Sequence, residues 1–265
     1  MKKIVYFDID GTLLDVTRNF NVSAKTQQSL RQLRADGNLT IINTGRSLAC
    51  IPQEILDLNF DGIIAGCGTY VEFHGQVLFN RILDSELVDR IIETFSREKT
   101  DLLLEGPDFV YTLDTVFDPV VAREAIDLFN IEGRRRRISE TPVRINKISY
   151  LIRDSHSDRA IIEALQDQLH FIIYPTDIRE GIPPGCNKKT GMILLEKWLQ
   201  REIDFKFAET LAFGDSMNDM DMLKHATRAI AMGNSDSGIH HLADFVTLDV
   251  VNDGIEYALK HYNLI

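Results

Sequence analysis

Asp8 and Asp10 stand two residues apart, directly behind the apolar run Ile4-Val5-Tyr6-Phe7, and Gly11 and Thr12 follow them. Two carboxylates at this spacing leave a strand on the same side. Past the strand's carboxyl end they can converge on the crevice where open α/β sheets bind ligands, and Gly11 lets the chain turn sharply away. Such a pair suits metal-assisted covalent hydrolysis. One carboxylate serves as nucleophile and cation ligand; the other protonates a leaving group and then deprotonates water. Standing alone, the pair reads equally well as a capped turn after a strand.

A second acidic segment, Gly214-Asp215-Ser216-Met217-Asn218-Asp219, follows the apolar run 210–213. Hard divalent cations require several oxygen ligands, which Asp8, Asp215 and a backbone carbonyl would supply. Asn218 and Asp219 fall about one turn further on, at a predicted helix start. Thr44-Gly45-Arg46 follows another apolar run, and a hydroxyl beside free backbone N–H groups suits a phosphate oxygen. Lys188 opens a predicted helix; near the carboxylates it would neutralise phosphate and keep a nucleophile ionised.

The elements that must position these groups alternate. Strands are predicted at 2–7, 39–42 and 62–65, with helices at 23–35 (Ser23 as cap, Gly37 as stop) and from Ser47 to about Leu58. A hairpin turns at His74-Gly75. The same grammar returns after Lys189: helix 189–200, strand 210–213, helix 220–225, strand 229–232, helix 237–242, strand 245–248 and helix 254–261. Continuous apolar strands alternating with helices predict a Rossmann-like, doubly wound parallel α/β sheet. The middle of the chain follows a self-contained α+β pattern, and Gly181-Ile182-Pro183-Pro184-Gly185 is the clearest linker. The expected organisation is a core of residues 1–82 and 183–265 with an inserted α+β domain over 83–182.

Composition narrows the function classes. Of 265 residues, 44% are hydrophobic and 26% charged, and the net charge is −11. That sign opposes nucleic-acid binding through phosphate contacts. The exception is Arg134-Arg135-Arg136-Arg137, which reads as a solvated turn or strand edge, or as a rim attracting anions. No apolar run reaches membrane-spanning length and the start lacks a signal-peptide layout, so a cytoplasmic location without membrane partners is expected. Cys50, Cys67 and Cys186 are too few and too scattered for a disulfide framework. Trp198 reads as helix packing, and the adjacent His240 and His241 cannot share one helical face.

These pieces, in this order and at these strand ends, resemble the haloacid dehalogenase superfamily, in particular its Cof-type sugar-phosphatase-like branch. The likeness is most specific in residues 7–14 and 212–219, and extends through Ala231-Met232-Gly233-Asn234 and Asn252-Asp253-Gly254-Ile255. It implies the superfamily core fold with an α/β cap. It also implies a Mg²⁺-dependent phosphatase acting on a small phosphorylated metabolite, chiefly sugar phosphates. By that resemblance Asp8 becomes an aspartyl phosphate, and Asp10 is the general acid/base whose carbonyl also ligates Mg²⁺. Asp215 is the second side-chain ligand and Asp219 supports it. Ile9 (through its backbone), Thr44, Gly45, Lys188 and Asn218 hold the phosphoryl group. Arg46 and Glu180 are candidate substrate contacts. Two positions depart from the branch: Cys67 stands near its usual Asn, and Lys189 where it has a Gly. A phosphomutase, which would return the phosphoryl group to substrate, and a phospho-acceptor regulator are the alternatives. Asp at position 10, where ion-pumping relatives carry Thr, favours hydrolysis.

Overall fold

The computed structural model describes residues 2–15, 21–129, 131–174 and 176–265. In chain order, β1 (Lys2–Phe7), α1 (Ala24–Ala35), β2 (Leu39–Asn43), α2 (Gln53–Leu56), β3 (Gly62–Ala65), β4 (Tyr70–Phe73) and β5 (Gln76–Asn80) come first. Next are α3 (Ser85–Arg97), β6 (Leu103–Glu105), β7 (Val110–Thr112), α4 (Pro119–Phe129), β8 (Arg135–Arg137), β9 (Lys147–Leu151), α5 (Ser155–Leu165), β10 (His170–Ile173) and β11 (Ile178–Ile182). The chain closes with α6 (Lys188–Glu202), β12 (Phe207–Gly214), α7 (Met220–His225), β13 (Arg228–Ala231), β14 (Phe245–Val246) and α8 (Gly254–His261).

The chain forms two compact units, one of residues 1–45, 53–78 and 187–265, the other of residues 46–52 and 79–186. The first is built on an eight-stranded sheet of order β14-β13-β12-β1-β2-β3-β4-β5. It is parallel from β14 to β3 and turns antiparallel between β3 and β4. Every residue of β2 and β3 is buried, as befits strands covered on both faces. Successive strands step away from β1 in one direction through β2 and β3, and in the other through β12, β13 and β14. The order therefore reverses at β1, and the carboxyl ends of β1 and β12 flank the switch point where such sheets bind ligands.

The second unit has a six-stranded sheet of order β10-β11-β9-β6-β7-β8. Leu87, Val88, Ile91 and Phe95 of α3 and Ile161 and Leu165 of α5 pack with Leu104, Ile148 and Tyr150 in one apolar cluster. Each large apolar side chain so buried contributes about 1.5–3 kcal/mol. Glu105, Lys147, Ser149 and Glu180 share the other face, since Glu105 pairs with Lys147 and Ser149 with Glu180. Lys147 is enclosed and ion-paired with Glu180 at 2.8 Å and Glu105 at 3.7 Å. Of the arginine block, Arg134 ends a 3₁₀ turn and Arg135–Arg137 form β8, the sheet's edge, with Arg136 over the Phe109 ring at 4.4 Å. Consecutive charges there oppose strand addition.

Several expected elements are corrected. The helix predicted from Ser47 to Leu58 is broken: a 3₁₀ turn at Leu48–Cys50 is followed by the four-residue α2, and Ser47 makes no cap bond. Pro52 lacks the N–H that continuation needs. Gly181 and Ile182, read as linker, close β11 through pairing with β10. Residues 237–242 form a 3₁₀ segment rather than an α-helix, and β14 is two residues long. Ser23 caps α1 as expected, accepting from Thr26 N. Trp198 packs on Phe73, ring centroids 5.6 Å apart. Cys50, Cys67 and Cys186 take part in no disulfide. Among the described residues, no helix is long and apolar enough to cross a membrane.

The turn after β3 supports α6 directly. Gly68 has φ +80°, and a Cβ there would lie 2.2 Å from the carbonyl oxygen of Asn187, the residue that caps α6. Gly68→Ala is expected to cost roughly 2 kcal/mol or more of unfolding free energy, from left-handed strain plus overpacking. The readout is the urea midpoint at unchanged slope. Gly75, also left-handed but with nothing within 4 Å of its Cβ position, is the control: Gly75→Ala carries the strain alone.

Candidate active site

β1 delivers Asp8. Phe7 is paired with Phe213 on one side and Ile42 on the other, and Asp8 N donates to Phe213 O at 3.1 Å. Asp8 therefore lies level with the end of β12 and the end of β2, and Asp215 and Thr44 follow one residue beyond Gly214 and Asn43. The loop after Asp8 is held by its own backbone: Leu13 N and Leu14 N donate to Ile9 O at 2.9 and 2.8 Å, and Gly11 N donates to Leu14 O at 2.9 Å. Gly11 has φ +73°, and a Cβ there would meet Asp215 Oδ2 at 2.2 Å. Glycine is thus required twice over, for the turn and for the room that the Asp215 carboxylate takes.

α6 delivers Lys188. Asn187 and Thr190 form a reciprocal capping box, Thr190 N donating to Asn187 Oδ1 at 2.8 Å and Asn187 N to Thr190 Oγ1 at 2.9 Å. This fixes Lys188 as the first helical residue. Asn43 Nδ2 donates to Lys188 O at 3.2 Å, tying β2 to the same helix end. The Lys188 ammonium, 1% exposed, lies 2.8 Å from Asp8 Oδ1 and 2.5 Å from Asp219 Oδ1. It also donates to Asn218 Oδ1 at 3.4 Å.

Asp219 is enclosed and its oxygens are committed. Besides Lys188, it accepts from Asp215 N at 2.9 Å and Ser216 N at 3.1 Å. It folds the acidic loop back on itself and anchors the lysine. Asp215 accepts from Thr12 Oγ1 at 3.4 Å.

The charges do not balance. Burial works against the Lys188 charge, but Asp219 and Asp8 outweigh it and hold its pKa well above the usual lysine range. Burial pushes Asp8 up; Lys188 draws it back, and Asp219 and Asp10 push it up again, to about 7. Asp215 is pushed to about 8 by burial and by the negative charges of Asp8 and Asp219. One ammonium, closest to Asp219, cannot neutralise all of these carboxylates. Asp8, Asp215 and Asp219 each present an oxygen within 4.8 Å of the others. An all-carboxylate donor set with surplus negative charge fits a hard divalent cation. Because Asp219 is engaged by Lys188 and two backbone N–H groups, Asp8 and Asp215 are the better side-chain ligands.

Asp8, Lys188, Asp215, Asn218 and Asp219 therefore meet in the first unit, with Asp10 close enough for its charge to act on Asp8 and Asp215. Thr44 is buried, donates through its backbone to Ile64 O at 2.9 Å and accepts from Cys67 N at 3.1 Å. Arg46 and Glu180 belong to the second unit. There Arg46 donates to Cys50 O at 3.0 Å and Glu180 pairs with Lys147.

Four residues were missed as site residues. Asn234 donates to Gly11 O at 2.8 Å and accepts from Val250 N at 2.8 Å, pinning the loop that carries Asp10. Thr12, Asn43 and Asn187 complete the support. Asn234 closes the segment Ala231-Met232-Gly233-Asn234, and Asn187 has the cap-residue type three positions before a hydroxyl residue. For Asn43 the sequence offers no comparable signal.

The family model for haloacid dehalogenase-like hydrolases matches residues 5–259. The phosphatase-named protein YkrA of Bacillus subtilis (strain 168), a provisional name, is 27% identical over 99% of this chain and 98% of its own. The HMP-PP phosphatase of Yersinia pseudotuberculosis serotype I (strain IP32953) is 30% identical, covering 89% of this chain and 85% of that one. A solved structure of a hypothetical protein from Geobacillus kaustophilus HTA426 covers both chains fully, with TM-score 0.86 and 26% identity. The chain belongs to the haloacid dehalogenase-like hydrolase family, as a phosphatase of its Cof-type branch.

Proposed function

We propose that the chain hydrolyses the phosphate monoester of a small metabolite, chiefly sugar phosphates, through an aspartyl phosphate on Asp8. The observation that carries this reading is Lys188 reaching both of the buried carboxylates Asp8 and Asp219, with the half-buried Asp215 beside them. An Asp8 oxygen attacks phosphorus as the bond to the leaving oxygen breaks, and Asp10 passes its proton to that oxygen. Asp10, now ionised, takes a proton from water; the water oxygen attacks phosphorus and breaks the bond to Asp8, releasing inorganic phosphate. Lys188 aims Asp8 and offsets charge on the phosphoryl oxygens, which lie against Thr44, Gly45, Asn218 and the Ile9 backbone. Asp8, Asp215 and the Asp10 carbonyl would hold a Mg²⁺ ion, which would supply positive charge that lets an anionic nucleophile approach an anionic phosphate.

Substrate selection falls, on this reading, to the second unit acting as a cap. Glu180 is its best candidate contact, because within the buried Glu105–Lys147–Glu180 chain it alone retains exposure, 8% of its side chain. Arg46 is the other candidate. The relative named for HMP-PP places that compound on the test panel beside sugar phosphates.

Phosphate release from that panel, with Mg²⁺ and with chelator, tests the reading. Wild type is expected to release phosphate only with Mg²⁺, and Asp8→Asn not at all; an active Asp8→Asn enzyme would remove the covalent route. Asp10→Asn is expected to keep Mg²⁺ binding and lose at least about a hundredfold in turnover, the usual worth of general acid/base catalysis. Isomerised product in place of free phosphate would make the chain a mutase.

The carboxylate surplus also predicts a pH dependence of stability. Asp8 and Asp215 have folded pKa values near 7 and 8, above the ordinary aspartate value of 3.8. Between 3.8 and these values the folded chain binds more protons than the unfolded one, so stability falls as pH rises. With chelator present, their contribution lowers the melting temperature from pH 5 to pH 8. Added Mg²⁺ raises it more at pH 8 than at pH 5, and Asp215→Asn reduces both effects. A melting temperature insensitive to Mg²⁺ at pH 8 would count against the cation site.

A further inference from the structure

Tyr6 lies on β1 two residues before Asp8, and Asp8 N continues the strand's pairing to Phe213 O, so both side chains leave on the same side. Tyr6 is fully enclosed, and its hydroxyl donates to Glu196 Oε1 at 3.1 Å. The other Glu196 oxygen lies 2.9 Å from His225 Nε2, at the end of α7. Glu196 is on α6, eight residues after Lys188 and about 80° round the helix axis from it. The two residues make parallel sets of contacts. Lys188 joins α6 to β1 through Asp8 and to the loop before α7 through Asp219; Glu196 joins α6 to β1 through Tyr6 and to the far end of α7 through His225. Burial, and then the Glu196 carboxylate, keep the Tyr6 phenol protonated and hence a donor. The capping box and the buried Met192, Leu195 and Leu199 seat α6, and Lys188 and Glu196 add two directed polar anchors at different angles that narrow its remaining rotation.

We propose that Glu196 is a positioning residue for phosphoryl transfer, fixing the rotation of α6 through Tyr6 and His225 and thereby the aim of Lys188 at Asp8. This rests on the reading of Lys188 given above. The test is a double-mutant cycle with p-nitrophenyl phosphate as probe, combining Glu196→Leu or Glu196→Gln with Lys188→Met, after circular dichroism has established that each variant is folded. In the wild-type background Glu196→Leu is expected to lower kcat by about tenfold, within the range that a misplaced catalytic group costs, while KM changes less than about threefold. Glu196→Gln, which can still accept from Tyr6, retains most of kcat. In the Lys188→Met background Glu196→Leu costs no more, because the group it aims is gone. If Glu196→Leu does not fold, Tyr6→Phe tests the same link by removing one oxygen, and its loss of kcat should likewise vanish without Lys188. Unchanged kcat in the folded Glu196 or Tyr6 variants, or an equal loss in both backgrounds, would overturn the proposal. A Lys188→Met enzyme as fast as wild type would overturn the underlying reading of Lys188, and the clamp with it.

Discussion

Two buried carboxylates and a third, half-buried one are gathered around one ammonium, and the first unit is arranged to hold that imbalance. Lys188 is shared between Asp8 and Asp219 while Asp215 stands within ligand distance of both. Left alone, such carboxylates would move apart or take up protons. They are kept together by covalent placement at the ends of two adjacent parallel strands and by directed bonds: two backbone N–H groups on Asp219, the Asn234 bond to Gly11 O, and the capping box that fixes where α6 begins. Fold and site are linked through this constraint. The topological switch at β1 brings Asp8 and Asp215 side by side, and the return of the chain at residue 187 brings the cation.

The second unit shows the same buried pattern with the charges better satisfied. Lys147 is shared by Glu105 and Glu180, Glu105 also accepts from Ser149, and its second oxygen lies 3.5 Å from the Cys50 thiol. Two carboxylates, one ammonium, a hydroxyl and a thiol leave less unmet charge than the Asp8 cluster. Ion pairs so enclosed gain little net stability over apolar packing, but losing one partner is costly. That favours a role in fixing the polar face of the sheet, with Glu180 at its exposed end.

Placement of an element is legible in the sequence wherever one segment carries both the cause and the effect. Asp8 and Asp10 behind an apolar strand, the acidic loop behind β12, and Ser23 ahead of α1 are of this kind. The errors occur where a distant partner decides. Helical spacing from Ser47 to Leu58 ignored Pro52 and the bond from Ala49 N to Gly106 O. Gly181 and Ile182 have linker composition, yet pairing with Phe171 and His170 makes them strand. Asn234 and Glu196 show why the rest of the site was hidden. Their partners lie 223 and 190 residues away in the chain, and neither residue's type announces which backbone or phenol it will meet.

The unequal sharing of Lys188 bears on the covalent route. Its contact with Asp219, at 2.5 Å, is shorter than that with Asp8, at 2.8 Å, and Asp219 is the more deeply enclosed of the two. On the proposed route an esterified Asp8 would no longer offer a carboxylate, and a lysine paired with Asp8 alone would lose its one fixed counter-charge. Held by Asp219, Lys188 would on that route stay paired through both half-reactions and could turn toward the phosphoryl oxygens that replace the lost carboxylate charge. On the proposed route Asp219 need not touch substrate to matter: it would keep the same ammonium available to a free aspartate and to a phosphorylated one, which a two-step hydrolysis requires and a single-step displacement would not.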